Sequence, residues 1–184
     1  MIPDYRAVID RYYPAGTPLR DIFMAHSKSV ARLAAEIAER NMLPLDPQEV
    51  EAAAMLHDIG IFATHAPSIA CNGSEPYIRH GIIGGELLRS LGVDERYARV
   101  AERHTGSGLT AAEIEQQGLP LPRHDFMPET LLERLICYAD KFYSKSGDMK
   151  RKRADRVHAS LAAKSDEAAR RFDLLADEFG TVEP

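Results

Sequence analysis

The chain has 184 residues, with 23 Lys and Arg against 28 Asp and Glu and a formal net charge of −5. At 45% hydrophobic and 28% charged it can bury a core and is not a disordered chain, while its acidic balance argues against a general nucleic-acid binder. Cys71 and Cys137 form no CxxC and no disulfide scaffold, no run approaches the ~18 apolar residues of a membrane span, and Met1 to Arg20 lacks the apolar segment of a signal peptide, so a cytoplasmic protein without a membrane partner is expected.

In chain order, Asp21 predicts the N-cap of a helix through Ile22, His26, Val30, Leu33 and Ile37, with His26 on the apolar face and Pro44 beyond the end. Asp46-Pro47-Gln48-Glu49 is a strong start for a second helix, which runs through Val50, Ala53 and Leu56 to His57-Asp58, with Gly60 as its stop. Residues 61–77 contain Pro67, Asn72, Gly73 and Pro76 and read as a loop, long enough to suggest a role or mobility. A helix is predicted over 78–91, another from Asp94 to His104, and a short one from the capping box Thr110-Ala111-Ala112-Glu113 to near Gly118. Pro128 is read as opening a helix through Leu131, Leu135 and Asp140, and a last helix is predicted over 154–179. With almost no alternating runs, the fold class is all-α, of about six to eight helices. One domain over 1–184 is expected, with a core over about 21–146 and a helical extension over about 150–180.

His26, His57, Asp58, His80, His104 and Asp140 each fall on or beside one of these apolar-periodic segments. Imidazoles and carboxylates against apolar surface are costly unless paired, and a divalent cation pairs with several at once. Neighbours on a helix point about 100° apart, so His57 and Asp58 converge on one ion only where the helix relaxes before Gly60. Each residue alone has a plainer reading, as a core histidine, a helix-terminal histidine or an exposed carboxylate. A mixed imidazole and carboxylate set suits Fe, Mn, Co, Ni or Zn and disfavours calcium.

His-Asp-Ile-Gly at a helix end, with His26 upstream and Tyr-Ala-Asp-Lys at 138–141 downstream, resembles the HD-domain metal-dependent phosphohydrolases. The resemblance implies an HD helical bundle in which His26, His57, Asp58 and Asp140 form a first metal site. His80, opening His-Gly-Ile-Ile-Gly-Gly-Glu, and His104, opening His-Thr-Gly-Ser-Gly, look like the further histidines of the two-metal branch, with Asp58 bridging. These contexts resemble bacterial diadenosine-polyphosphate hydrolases and small HD proteins of unassigned substrate. The implied activity is hydrolysis of a phosphate ester or anhydride of a nucleotide or small phosphorylated metabolite by metal-activated water, with Asp58 central to catalysis. The alternatives are a metal-containing nucleotide sensor that turns over slowly or not at all, and an HD-fold oxygenase with a di-iron pair.

Arg79, Arg103 and Lys141 adjoin implied ligands and are candidate phosphate contacts, or else surface ion pairs. His65 is a candidate substrate contact from the long loop, or else an exposed histidine; His124 and His158 are read as surface, and Lys150 to Arg153 as a solvated helix start. Ile59 to Phe62 lack the Glu-Asp pair of the HD enzymes that act on stringent-response nucleotides. Ile61 and the single His104 depart from the cyclic-dinucleotide branch.

Overall fold

The computed structural model describes residues 1–147 and 149–182, and among these the chain forms nine α-helices and one pair of two-residue strands. An N-terminal helix that the periodicity did not announce, α1 (Tyr5–Tyr12), is capped by Asp4. α2 (Pro18–Arg40) begins earlier than predicted. Thr17 is its N-cap and Pro18 its first residue, while Asp21 lies in the first turn, where a negative charge suits the helix dipole. Asp46 caps α3 (Pro47–Leu56) as read from the sequence.

The 61–77 segment is more ordered than a plain loop. It holds two short 3-10 turns and leads into a third (Tyr77–Arg79), with β1 (His65–Ala66) paired antiparallel to β2 (Cys71–Asn72). Ala70 turns the chain between them at φ 59°. Strands of two residues are too short for alternation to reveal them. There follow α4 (His80–Ser90), α5 (Glu95–Arg103) behind its Asp94 cap, and α6 (Ala111–Gln116) with the predicted capping box complete.

α7 (Leu131–Asp140) starts from Thr130, whose hydroxyl accepts the Glu133 amide, and not from Pro128. The predicted last helix is two, α8 (Ala154–Ala162) and α9 (Asp166–Phe179), because Ser165 accepts from the Ala168 amide and caps a fresh start. Among the described residues no helix is long and apolar enough to cross a membrane.

α2 packs on α3 and α7, α4 on α5, and α8 on α9. Phe23, Val30, Leu33 and Ile37 of α2 meet Val50, Leu56, Leu135 and Ile136 in the main core. Tyr138 and Phe142, at the end of α7, are covered by Phe172 and Phe179 of α9, with ring centroids 5.5 to 5.9 Å apart in three of these pairs. The buried Arg171 guanidinium of α9 meets both Glu113 carboxylate oxygens, at 2.8 and 2.9 Å.

Two glycines decide how close α4 can come. Gly60 lies just past the end of α3, as expected of a stop, with an ordinary φ of −86°. Its value is space: a Cβ there would lie 2.2 Å from the His80 carbonyl oxygen and 2.5 Å from the Gly84 nitrogen. At Gly81 a Cβ would lie 2.7 Å from the Ala101 carbonyl oxygen of α5. Without these side chains α4 rests against α5 and the turn after α3 at backbone distance. That contact carries His80 toward Asp58 and His104.

Candidate metal centre

Five structural positions deliver the six predicted residues to one place. His26 comes from the apolar face of α2, and His57 and Asp58 from the end of α3. His80 is the first residue of α4, His104 the cap that ends α5, and Asp140 the last residue of α7. The Ile59 amide bonds the Leu56 carbonyl and the Ile61 amide bonds the Asp58 carbonyl, so the helix tightens as it ends and both His57 and Asp58 turn inward. Tyr13, just past α1, donates its hydroxyl to the Ile59 carbonyl at 2.9 Å and holds that turn from outside. All six side chains are buried, none of the residues more than 7% exposed.

Their donor atoms fall into two groups that share Asp58. In the first, His26 Nε2 lies 2.9 Å from Asp140 Oδ1, 3.2 Å from Asp58 Oδ2 and 3.3 Å from His57 Nε2. His57 Nε2 lies 3.1 Å from Asp58 Oδ2 and 3.4 Å from Asp140 Oδ1. Donor atoms roughly 2.1 Å from a common ion stand about 3.0 Å apart along octahedral edges and about 3.4 Å apart along tetrahedral ones. The spacing of this group matches that range. In the second, His80 Nε2 and His104 Nε2 are 3.0 Å apart and lie 3.6 and 3.3 Å from Asp58 Oδ1.

Hydrogen bonding fixes which nitrogen of each ring is free. His57, His80 and His104 place Nδ1 2.6 to 2.7 Å from the carbonyls of Ala54, Tyr77 and Ala101. A carbonyl only accepts, so each Nδ1 carries the proton, and Nε2 of a neutral ring presents a lone pair. In the second group two such lone pairs and a carboxylate oxygen then face one point. Burial drives His80 down to about 3, with His104 adding to the effect, and burial also holds His104 below its ordinary value, so neither ring readily takes a bridging proton. Asp58 Oδ1 and His26 Nδ1 have no hydrogen-bond partner among the described residues, and Asp58 Oδ2 is met by the Lys145 ammonium. A buried, acceptor-rich cluster with orphaned atoms fits a cation, and the donor set suits a transition metal.

In the first group, burial pushes His57 down, but Asp58 and Asp140 outweigh it and hold the ring up to about 9. Burial would raise Asp58, yet His57 and then Lys145 keep it well below the usual carboxylate range. Asp140 is held low against burial by Lys141 and the two histidines of its group.

Beside the cluster lies a cavity of about 440 Å³. Its wall includes Asp140 and four lysines, Lys141, Lys145, Lys152 and Lys164, together with Tyr77 and Tyr143. Lys141 Nζ sits 2.7 Å from Asp140 Oδ2 and donates to the His104 carbonyl at 2.9 Å. Lys145 Nζ sits 2.7 Å from Asp58 Oδ2. Of the four candidate substrate contacts, Lys141 alone lines this cavity. Arg79 pairs with Glu75 and donates to the Pro120 carbonyl. Arg103 is drawn to Glu129, Glu133 and the Met127 carbonyl. His65 is exposed on β1. Sequence reasoning missed Lys145, Lys152 and Lys164. His158 pairs with Asp173, and the His124 ring lies tilted against Phe126, both away from the cluster.

The HD domain family model matches residues 23–144. The chain is 32% identical over 160 residues to an uncharacterised protein of Methanocaldococcus jannaschii, a match covering 85% of this chain and 87% of that one. It is 36% identical over 124 residues to a tRNA (cytidine(56)-2'-O)-methyltransferase of Picrophilus torridus, covering 67% of this chain and 32% of that protein. With the Thermoplasma volcanium protein of the same name it shares 31% over 182 residues, covering 99% of this chain and 48% of that protein. The chain thus spans less than half the length of either methyltransferase, whose named activity is theirs. The fold is similar to that of the HD domain of the L. monocytogenes phosphodiesterase PgpH, with a TM-score of 0.55 at 15% identity over 95% of this chain and 96% of that one. The same domain in complex with cyclic-di-AMP gives 0.54 at 14% identity, over 99% of this chain and 100% of that one. The matched stretch encloses all six clustered residues, and the chain belongs to the HD domain family.

Proposed function

We propose that this protein hydrolyses a phosphate ester or anhydride of a nucleotide or other small phosphorylated metabolite. The observation that carries the reading is the meeting of two features: two groups of buried His and Asp donor atoms that share Asp58, and a lysine-walled cavity opening at Asp140. The cyclic-di-AMP complex of a protein with this fold supports a nucleotide as ligand.

In this reading His26, His57, Asp58 and Asp140 hold one divalent ion, and Asp58, His80 and His104 hold a second. Bound there, the ions supply Lewis acidity and a water acidic enough to act as nucleophile near neutral pH. The carbonyls of Ala54, Tyr77 and Ala101 keep three of the rings in the tautomer that ligates. Lys141, anchored on the His104 carbonyl, and Lys145, over the Tyr77 ring at 6.0 Å, present ammonium groups to the phosphoryl oxygens. The buried cluster excludes bulk water, which strengthens these contacts.

The test is elemental analysis of protein purified without chelator or affinity metal. Release of phosphate from a panel of esters and anhydrides is then assayed with Mn²⁺, Fe²⁺, Co²⁺, Ni²⁺ and Zn²⁺. Bound transition metal and metal-dependent release are expected. Metal-loaded protein that frees no phosphate or nucleotide from any member of the panel would overturn the proposal.

A further inference from the structure

We infer that the segment after the family's matched residues builds a second anion subsite, so that the substrate carries another phosphate group beyond the one presented to the His and Asp cluster. This rests on the hydrolase reading of the same cavity.

The family match ends at residue 144, and Lys145, Lys152 and Lys164 lie past it on the same cavity wall as Lys141. The four ammonium groups are not equivalent. Lys141 faces Asp140 and Lys145 faces Asp58, each at 2.7 Å. Lys152 and Lys164 have no carboxylate within ion-pair distance among the described residues. Elsewhere in the helical body several arginines find carboxylates: Arg89 meets Glu95 and Glu102, Arg99 meets Glu129 and Glu133, and Arg134 meets Glu178. Lys152 is half-buried on the cavity wall and Lys164 is exposed at its rim.

The backbone holds this wall in place. The Lys152 amide donates to the Phe142 carbonyl at 2.8 Å, just beyond α7. Lys164 follows the end of α8, whose Val157 and Leu161 also line the cavity. Burial and the nearby Lys141, Lys145 and Lys164 lower the Lys152 pKa, with Asp140 opposing them, as converging ammonium groups would. Any cation at the cluster would occupy the same carboxylates that offset Lys141 and Lys145, and the excess positive charge would grow. One phosphoryl group at Lys141 and Lys145 leaves Lys152 and Lys164 unneutralised, and a second phosphate supplies that charge. The Ser146 and Ser160 side chains on the same wall add hydroxyl donors.

A phosphate chain and two separately esterified phosphates share this chemistry, and the test separates them. Orthophosphate, pyrophosphate and fructose 1,6-bisphosphate are titrated calorimetrically into the metal-loaded full-length protein and into the double variant Lys152→Gln, Lys164→Gln. At least one doubly phosphorylated probe is expected to bind about tenfold or more tighter than orthophosphate, as charge-assisted contacts imply. In the variant that advantage is expected to vanish while metal content and orthophosphate affinity stay within about twofold, since the contacts removed are those to the second group. Preference for pyrophosphate marks a phosphate chain, and preference for the bisphosphate marks separate esters. Equal affinity for all three probes, or an advantage that survives in the variant, overturns the subsite. If hydrolysis of simple esters persists in that case, the hydrolase reading stands without it. If the lysine-dependent advantage appears but no ester is ever cleaved, the subsite stands and the hydrolase reading falls.

Discussion

His57 shows how much one residue's surroundings decide. Its Nδ1 is committed to the Ala54 carbonyl, so a metal can take Nε2 only after the proton there leaves. In the metal-free protein that ring titrates near 9, which means it is protonated at pH 7.5. Metal uptake at that pH should therefore expel close to one proton from this group, and apparent affinity should climb with pH up to about 9. Calorimetry in buffers of different ionisation enthalpy measures this directly, and uptake without proton release would contradict it. The same raised value means that protonated His57 stabilises the metal-free fold below the ordinary histidine range, a contribution lost as pH rises through about 9. Asp58 offers one oxygen to each donor group, so Asp58→Ala should lose both ions and all metal-dependent hydrolysis together. His104→Ala should keep its fold and one ion while losing the other, as counted by elemental analysis. The six clustered residues were legible because each sits at a helix end or on an apolar face, where an imidazole or carboxylate is out of place. Arg79 and Arg103 misled because adjacency in sequence is not adjacency in space: the next residue on a helix points about 100° away. Lys145 gave no signal at all, since a lysine among serine, tyrosine and glycine looks like any exposed loop.

The helices were legible where capping chemistry is local. Asp46-Pro47 and the Thr110 to Glu113 box hold as read, whereas Pro128 drew attention from the real cap, Thr130, and the break at Ser165 was hidden inside a continuous helical pattern. What no local pattern could convey is the purpose of Gly60, because the atoms it must avoid belong to α4, some twenty residues on. Gly60→Ala would drive a methyl group into the His80 carbonyl. Moving α4 outward to make room should cost about 1–3 kcal/mol in stability. It should also weaken the ion held by His80 and His104 more than the one held by His26, His57 and Asp140. Thermal melting with and without metal checks both parts, and an unchanged melt would show that α4 yields freely.

At the scale of the molecule, the C-terminal hairpin of α8 and α9 stands behind the site. Phe172 packs on Tyr138 and Phe142, the residues two before and two after Asp140, so Phe172→Ala should cost about 3–5 kcal/mol and loosen the end of α7. The measurement is chemical denaturation with tryptophan-free probes such as circular dichroism, since the chain has no Trp. That arrangement also ties metal retention to a motion remote from the metal. If the hairpin lifts transiently, in a partial opening that falls short of global unfolding, Asp140 loses its backing and Lys164 swings away with it. The leak of ions to an external chelator would then be paced by the breathing of α9, quickening in mild urea long before the core melts.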